Sequence, residues 1–151
     1  MAEDPTTHFY KRSKFSTRLP KARHYTQGHF WLEEVESGLW RIGFTRFATR
    51  MLGEVVEYDF EAQPGQAVEV GDPVGWVEGF KAITELYSPA AGAFHRSNPE
   101  LADVLESIHA HPYDKGWLYE IRGALPSDAL DVDGYVGFLD ATIAKMTGKD
   151  A

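Results

Sequence analysis

Apolar positions along the chain fall into short clusters divided by turn residues, and most clusters follow the period of strands. Phe30-Trp31-Leu32-Glu33-Glu34-Val35 and Leu39-Trp40-Arg41-Ile42-Gly43-Phe44-Thr45 predict two strands joined by a turn at Glu36-Ser37-Gly38. Thr45 predicts a helix cap, with a helical turn to about Met51 that ends at Gly53. Glu54-Val55-Val56-Glu57-Tyr58-Asp59-Phe60 alternates and predicts another strand, followed by a Pro64-Gly65 turn. Asn98-Pro99 reads as a cap with proline in the first helical position. Leu101, Val104, Leu105 and Ile108 then recur on one helix face, so a helix is expected there. Trp117-Leu118-Tyr119-Glu120-Ile121 predicts a last strand. After Pro126-Ser127, Tyr135, Phe138, Leu139 and Met146 predict a C-terminal helix docked on the sheet. The sum is a mostly β fold, a sandwich or flattened barrel with short helices at its edges.

Between Gln66–Val70 and Asn98 lies a near-symmetric segment. Gly71-Asp72-Pro73 opens an apolar stretch, Lys81 follows it, and a second stretch leaves into Ser88-Pro89-Ala90-Ala91-Gly92. Pro73 and Pro89 each lie eight residues from Lys81. Two strands bracketed by turn residues predict a β-hairpin with Lys81 at its tip. A lysine there projects into water, which suits either a solubilising turn or a covalent attachment point.

The flanking residues separate those two uses. Glu78-Gly79-Phe80-Lys81-Ala82, then Ser88-Pro89 and Gly92, resembles the lipoyl-attachment segment of the glycine cleavage H protein family, Glu-Ser-Val-Lys-Ala followed by Ser-Pro-x-x-Gly. Tyr25 and His29-Phe30-Trp31 resemble its Tyr-x-x-x-His-Glu-Trp opening. Ile42-Gly43-Phe44-Thr45, Leu52-Gly53-Glu54-Val55-Val56 and Pro112-Tyr113 with Gly116-Trp117 resemble further family segments in the same order. The resemblance runs over about residues 25 to 146. It implies a lipoyl/biotinyl-type fold and a non-catalytic carrier with lipoate in amide linkage on Lys81. Glu78, Gly79, Phe80, Ala82 and Glu85 would then serve recognition by a lipoate-protein ligase or lipoyl transferase, or orient the arm. His29 and Phe30 would line the arm's cleft. A biotinyl carrier is disfavoured, because Phe80 and Ala82 stand where that family resembles Met-Lys-Met.

Composition fits a carrier of one globular unit. A chain of 151 residues with 43% apolar content can bury a core but is short for two large domains. The expected division is a basic extension over 1–24, a β domain over 25–126, and a helix over 127–151 packed on that domain. No apolar run approaches the roughly 18–20 residues that span a bilayer, and the first fourteen residues lack an apolar core, so a cytoplasmic protein is expected. Cysteine is absent, which excludes a thiol nucleophile, a thiolate zinc site and an iron–sulfur cluster. A dithiol carrier also has reason to avoid thiols that would exchange with its cargo. The six histidines show no ligand spacing, and no metal is expected. Net charge is −8, which disfavours nucleic acid. Residues 1–24 carry six basic side chains against two acidic ones, a balance of +4, so the rest carries −12. That acidic body suits partners with basic docking rims, and the basic extension is expected to be a loosely packed arm, with Pro5 and Pro20 discouraging long structure.

Two departures from the family bear on cargo. Phe30 replaces an acid that would hold a cationic aminomethyl group, and Gly79-Phe80 replaces Ser-Val before the lysine. An apolar residue cannot pair with an amine. The expectation is therefore sulfur-compound oxidation, with a heterodisulfide-reductase-like complex as partner. The alternative is the H protein of a glycine cleavage system, carrying an aminomethyl group among the glycine cleavage enzymes. Dihydrolipoamide dehydrogenase is expected as a further partner.

Overall fold

The computed structural model describes residues 5–148; Glu3 and Asp4 of the N-terminal charge balance and residues 149–151 lie outside them. The described part of the basic extension is structured. Strands β1 (Thr7–Arg12) and β2 (Phe15–Pro20) form an antiparallel hairpin, reversed by a left-handed Ser13 with φ 56°. Tyr10, Phe15 and Leu19 are buried beneath it, which corrects the expectation of a loose arm. Pro20 does not interfere, because it occupies the last strand position, at the end of the ladder.

Strands β3 (His24–Tyr25), β4 (Phe30–Glu36) and β5 (Leu39–Phe44) follow, then helix α1 (Arg46–Leu52). Thr45 caps α1 by accepting from the Ala48 N–H, and Gly53 ends it, as the sequence predicts. Next come β6 (Val55–Phe60), β7 (Ala67–Val68), β8 (Pro73–Gly79), β9 (Ile83–Tyr87) and β10 (Ala91–Ser97). The chain closes with α2 (Ser107–Ala110), β11 (Tyr119–Ala124) and α3 (Val132–Thr147).

A six-stranded sheet in the order β3-β4-β5-β11-β10-β7 faces a three-stranded sheet in the order β6-β8-β9. Leu32, Ile42, Phe94 and Ile121 of the first meet Val74, Val77 and Leu86 of the second in a shared core. The period of two along β4 then builds a second core on the other side of the larger sheet. Phe30 and Leu32 enter the sandwich, whereas Trp31 packs with Tyr10, Phe15, Leu19, Phe47, Tyr135 and Leu139. The N-terminal hairpin and α3 thus close one face of the sandwich together.

Two expectations need correction, and one strand is additional to them. The helix over 101–108 is reduced to α2, preceded by successive turns such as Leu101 N–H to Asn98 C=O and Ser107 N–H to Val104 C=O. Leu101 and Ile108 still reach the sandwich core, so packing rather than helical propensity shapes this segment. Strand β10 was not anticipated, because Phe94 is its only large apolar side chain and its pairing with β11 and β7 comes from distant parts of the chain. On α3 the buried face is Tyr135, Leu139 and Ile143, while Met146 is exposed.

Candidate functional site

Strands β8 and β9 form the anticipated hairpin, with Trp76 opposite Glu85, Val77 opposite Thr84 and Glu78 opposite Ile83. The Gly79 N–H donates to the Ala82 carbonyl at 2.8 Å, leaving Phe80 and Lys81 at the tip. Lys81 is exposed, and Phe80 beside it is 75% exposed. The tip nevertheless rests on a support. Lys81 N–H donates to the Leu52 carbonyl at 3.0 Å, Phe80 N–H to the Glu54 carbonyl at 3.0 Å, and Lys81 Nζ to the Arg50 carbonyl at 3.1 Å. The carbonyls of Arg50 and Leu52 belong to the last turn of α1, where acceptors lack intrahelical partners and the helix dipole favours a cation.

Two glycines permit this close approach. Gly53 has φ 80°, and a Cβ there would stand 3.1 Å from Lys81 Cγ and 3.2 Å from its backbone nitrogen. A Cβ on Gly79 would meet the Leu52 carbonyl oxygen at 2.2 Å. The attachment candidate is therefore held at its backbone, and its side chain is exposed with Nζ resting on the Arg50 carbonyl.

A cavity of about 580 Å³ adjoins the hairpin. Its walls come from Phe30, Phe44, Phe47, Met51 and Leu52 on one side and Ala82, Ile83 and Tyr87 of the hairpin on the other. His29 and Phe30 both line it. His29 is placed by a left-handed backbone with φ 67°; its carbonyl accepts from Thr45 N–H and its own N–H donates to the Thr26 carbonyl. Its Nδ1 lies 2.8 Å from the Tyr135 hydroxyl, which is also 2.8 Å from Thr45 Oγ1. Phe47 and Phe138 pack on the ring. Burial lowers the imidazole pKa from 6.5 to about 4, so His29 is neutral near pH 7.

Phe30 is buried and stacks on Phe44 with ring centroids 5.6 Å apart. It is a wall of the cleft and a member of the sandwich core at once. The absence of an acid at this position does not leave the cleft without negative charge, because Glu85 and Asp128 both line it. Asp128 escaped the sequence reading; it arrives from the segment between β11 and α3, and no local pattern marks it. The five proposed recognition residues divide accordingly. Ala82 and Glu85 line the cleft, Phe80 stands out at the tip, Gly79 is buried against α1, and Glu78 lies on the strand without lining the cavity.

Away from the cleft, Glu120 is buried and receives Arg41 at 2.9 Å and Arg96 at 2.8 Å. Burial opposes its ionisation, but hydrogen bonds and charge from Arg96 and Arg41 outweigh that and hold its pKa below the ordinary carboxylate range. Both arginines also lie over the Trp117 ring, at 4.2 and 5.4 Å from its centroid. This network ties β5, β10 and β11 together and is structural.

Comparison with known proteins gives a consistent set of likenesses. The family described as Glycine cleavage H-protein matches residues 23–133. The glycine cleavage system H protein of Edwardsiella ictaluri is 33% identical over 127 residues, covering 82% of this chain and 98% of that protein. The protein of the same description from Anoxybacillus flavithermus is 38% identical over 115 residues, covering 76% and 87%. Among solved structures, a glycine cleavage system H protein from Mycobacterium marinum superposes with a TM-score of 0.72 at 29% identity, covering 81% of this chain and 99% of that one.

Proposed function

Because the chain belongs to the glycine cleavage H-protein family, we propose that it is the lipoyl carrier of a glycine cleavage system, with lipoate in amide linkage on Lys81. This replaces the sulfur-oxidation pathway favoured by the sequence. The relatives are described as glycine cleavage system H proteins, and the cleft holds two carboxylates even with phenylalanine at position 30. Partnership with a heterodisulfide-reductase-like complex has no support.

The observation that carries this reading is an exposed lysine on a backbone-tethered tip beside a largely apolar cleft. The fit to a lipoyl group is good in two respects. The Lys81 side chain is exposed, its Nζ bound only to a carbonyl that acylation can displace, and the adjoining cavity has aliphatic and aromatic walls of the size that takes a small molecule. When bound, the group supplies redox and group-transfer chemistry that protein side chains lack. The chain's own residues position and shelter. Leu52 and Glu54 carbonyls fix the tip, neutral His29 and Phe30 close the cleft floor, and Glu85 and Asp128 attract a cationic aminomethyl cargo at its rim.

In this reading the chain turns over nothing alone. A ligase or lipoyl transferase modifies it, the glycine cleavage enzymes load and unload it, and dihydrolipoamide dehydrogenase reoxidises it, all in the cytoplasm. Among the described residues no helix is long and apolar enough to cross a membrane. Residues 25–126 form the carrier body and α3 of the following segment closes it, with the N-terminal hairpin as an additional wall. The test is intact mass after incubation with a lipoate-attaching enzyme, followed by glycine-dependent carbon dioxide exchange with glycine decarboxylase. Wild type should gain the lipoyl mass and support exchange, and Lys81→Arg should do neither. A lipoylated Arg variant would refute the site, and a lipoylated wild type inert towards the decarboxylase would refute the pathway.

A further inference from the structure

Beside Lys81 lies a smaller cavity of about 200 Å³, lined by Phe15, Ser16, Arg46, Arg50, Lys81 and His109, none of which lines the apolar cleft. Every titratable side chain on this wall is basic. Among the described residues the ion pairs engage Arg12, Arg23, Arg41, Arg96 and Arg122, and none reaches Arg46, Arg50 or Lys81. The two arginines are instead held by carbonyls, which orient a guanidinium without neutralising it. Arg46 donates to the carbonyls of His109 and Ala110, and Arg50 donates to the Lys14 carbonyl at 3.0 Å. Arg50 also lies over the Phe15 ring, 5.7 Å from its centroid. Arg46 and Arg50 are four residues apart on α1 and so share a face. In a chain of net charge −8, this is a local concentration of positive charge around one lysine.

We propose that this cavity is an oxyanion site that receives the phosphate of an activated acyl donor while Lys81 is being acylated. The inference rests on the reading of Lys81 as the attachment residue. An amine does not form an amide with a free carboxylate at useful rates, so the acyl group must arrive carrying a better leaving group. In a mixed anhydride with phosphate, the Lys81 nitrogen attacks the acyl carbon and the new C–N bond forms. The C–O bond to phosphate breaks, phosphate leaves with the bonding pair, and the amine proton passes to water. Negative charge thus grows on phosphate oxygens beside the attacking nitrogen, in a cavity lined by the guanidinium charges of Arg46 and Arg50, which the carbonyls of His109, Ala110 and Lys14 hold in place. The cavity is smaller than the roughly 300–1,000 Å³ of drug-sized sites, which suits one phosphate group better than a whole ligand. Phe15 and Ser16 belong to the hairpin that precedes the family-matched span, so this chain adds its own wall to the site.

The test uses the full-length, unlipoylated protein. Inorganic phosphate and AMP are titrated at constant ionic strength while arginine side-chain NMR signals are followed. Saturable shifts confined to Arg46 and Arg50 are expected; equal shifts on all arginines, or none beyond those caused by chloride, overturn the site. Stronger shifts with AMP mark a nucleotide-activated donor, and equal shifts mark a bare acyl phosphate. Acetyl phosphate is then used as the acyl donor, with site-resolved mass spectrometry. Lys81 should acetylate about tenfold faster than Lys11, Lys21 and Lys115, and Arg50→Gln should bring it close to their rate. Arg46→Gln risks loosening α1 from α2, so Arg50→Gln, checked for an unchanged unfolding midpoint, carries the result. Equal acetylation of all lysines overturns the proposal. Phosphate binding in a protein that no lipoate-attaching enzyme modifies at Lys81 would sink the carrier reading instead and leave the anion site standing.

Discussion

Glu85 and Asp128 reach one cleft from β9 and from the segment between β11 and α3, and together they set its charge. Glu85→Gln with Asp128→Asn should lower glycine-dependent carbon dioxide exchange by about tenfold, the order expected when charge-assisted contacts to a cation are removed. Glu78→Gln should leave exchange unchanged, since that side chain does not line the cavity. Equal effects from all three substitutions would point to general surface charge. The position of Phe30 argues against restoring an acid there. Its ring is buried against Phe44, and a carboxylate in its place would lose packing and face desolvation. Phe30→Glu should therefore destabilise the fold by about 3 kcal/mol or more, measured by urea unfolding.

At the scale of elements, α1 is the part on which the site depends. Its N-cap is set by Thr45, its buried face by Phe47 and Leu52, and its last carbonyls hold the hairpin tip. Gly53→Ala should cost about 1–3 kcal/mol from the backbone alone, because φ 80° with ψ −175° is a conformation essentially confined to glycine. It should also slow lipoylation, because the added carbon presses on Lys81. An unchanged lipoylation rate in a folded Gly53→Ala variant would show that the tip tolerates displacement. The N-terminal hairpin is the second element with a consequence. Leu19 is fully buried in the cluster that includes Trp31, Tyr135 and Leu139, so Leu19→Ala should destabilise by about 2–4 kcal/mol. A loosely packed arm would give no change in the urea midpoint.

For the whole molecule, two buried groups shape the response to acid. Unfolded His29 takes up a proton near pH 6.5, but in the folded chain only near pH 4. Between those values the unfolded state binds more protons, so this group's contribution is complete above about pH 6.5 and is lost as pH falls towards 4. Its upper limit is about 3 kcal/mol. Glu120 acts lower: its contribution is present above the ordinary value of 4.5 and is lost as pH falls through its depressed folded value. Urea midpoints should therefore decline in two stages. His29→Gln should flatten the stage above pH 4.5 and spare the lower one; parallel curves for wild type and variant would exclude His29 as the source. The basic hairpin is also set against acidic charge, with Arg12 3.6 Å from Asp140 and the Tyr10 hydroxyl donating to Asp140 at 2.8 Å.

Local chemistry made much of this legible in the chain. The strands around Gly38, the cap at Thr45, the stop at Gly53 and the hairpin around Lys81 each depend on neighbours in sequence, and each is found where the residues put it. Strand β10 and the N-terminal hairpin were not legible. The first has one large apolar side chain and is defined by ladders to β7 and β11, and the second is buried by partners from β4, α1 and α3 that lie far along the chain. The 101–108 segment carried a helical period, yet its buried positions serve the end of a sandwich, and packing won over propensity. The same division holds at the site. Sequence singled out a lysine and its flanks because those residues are contiguous. Asp128 in the cleft, the α1 carbonyls beneath Lys81 and the arginines beside it are brought there by the chain's return across the sheet, and such meetings leave no mark on local order.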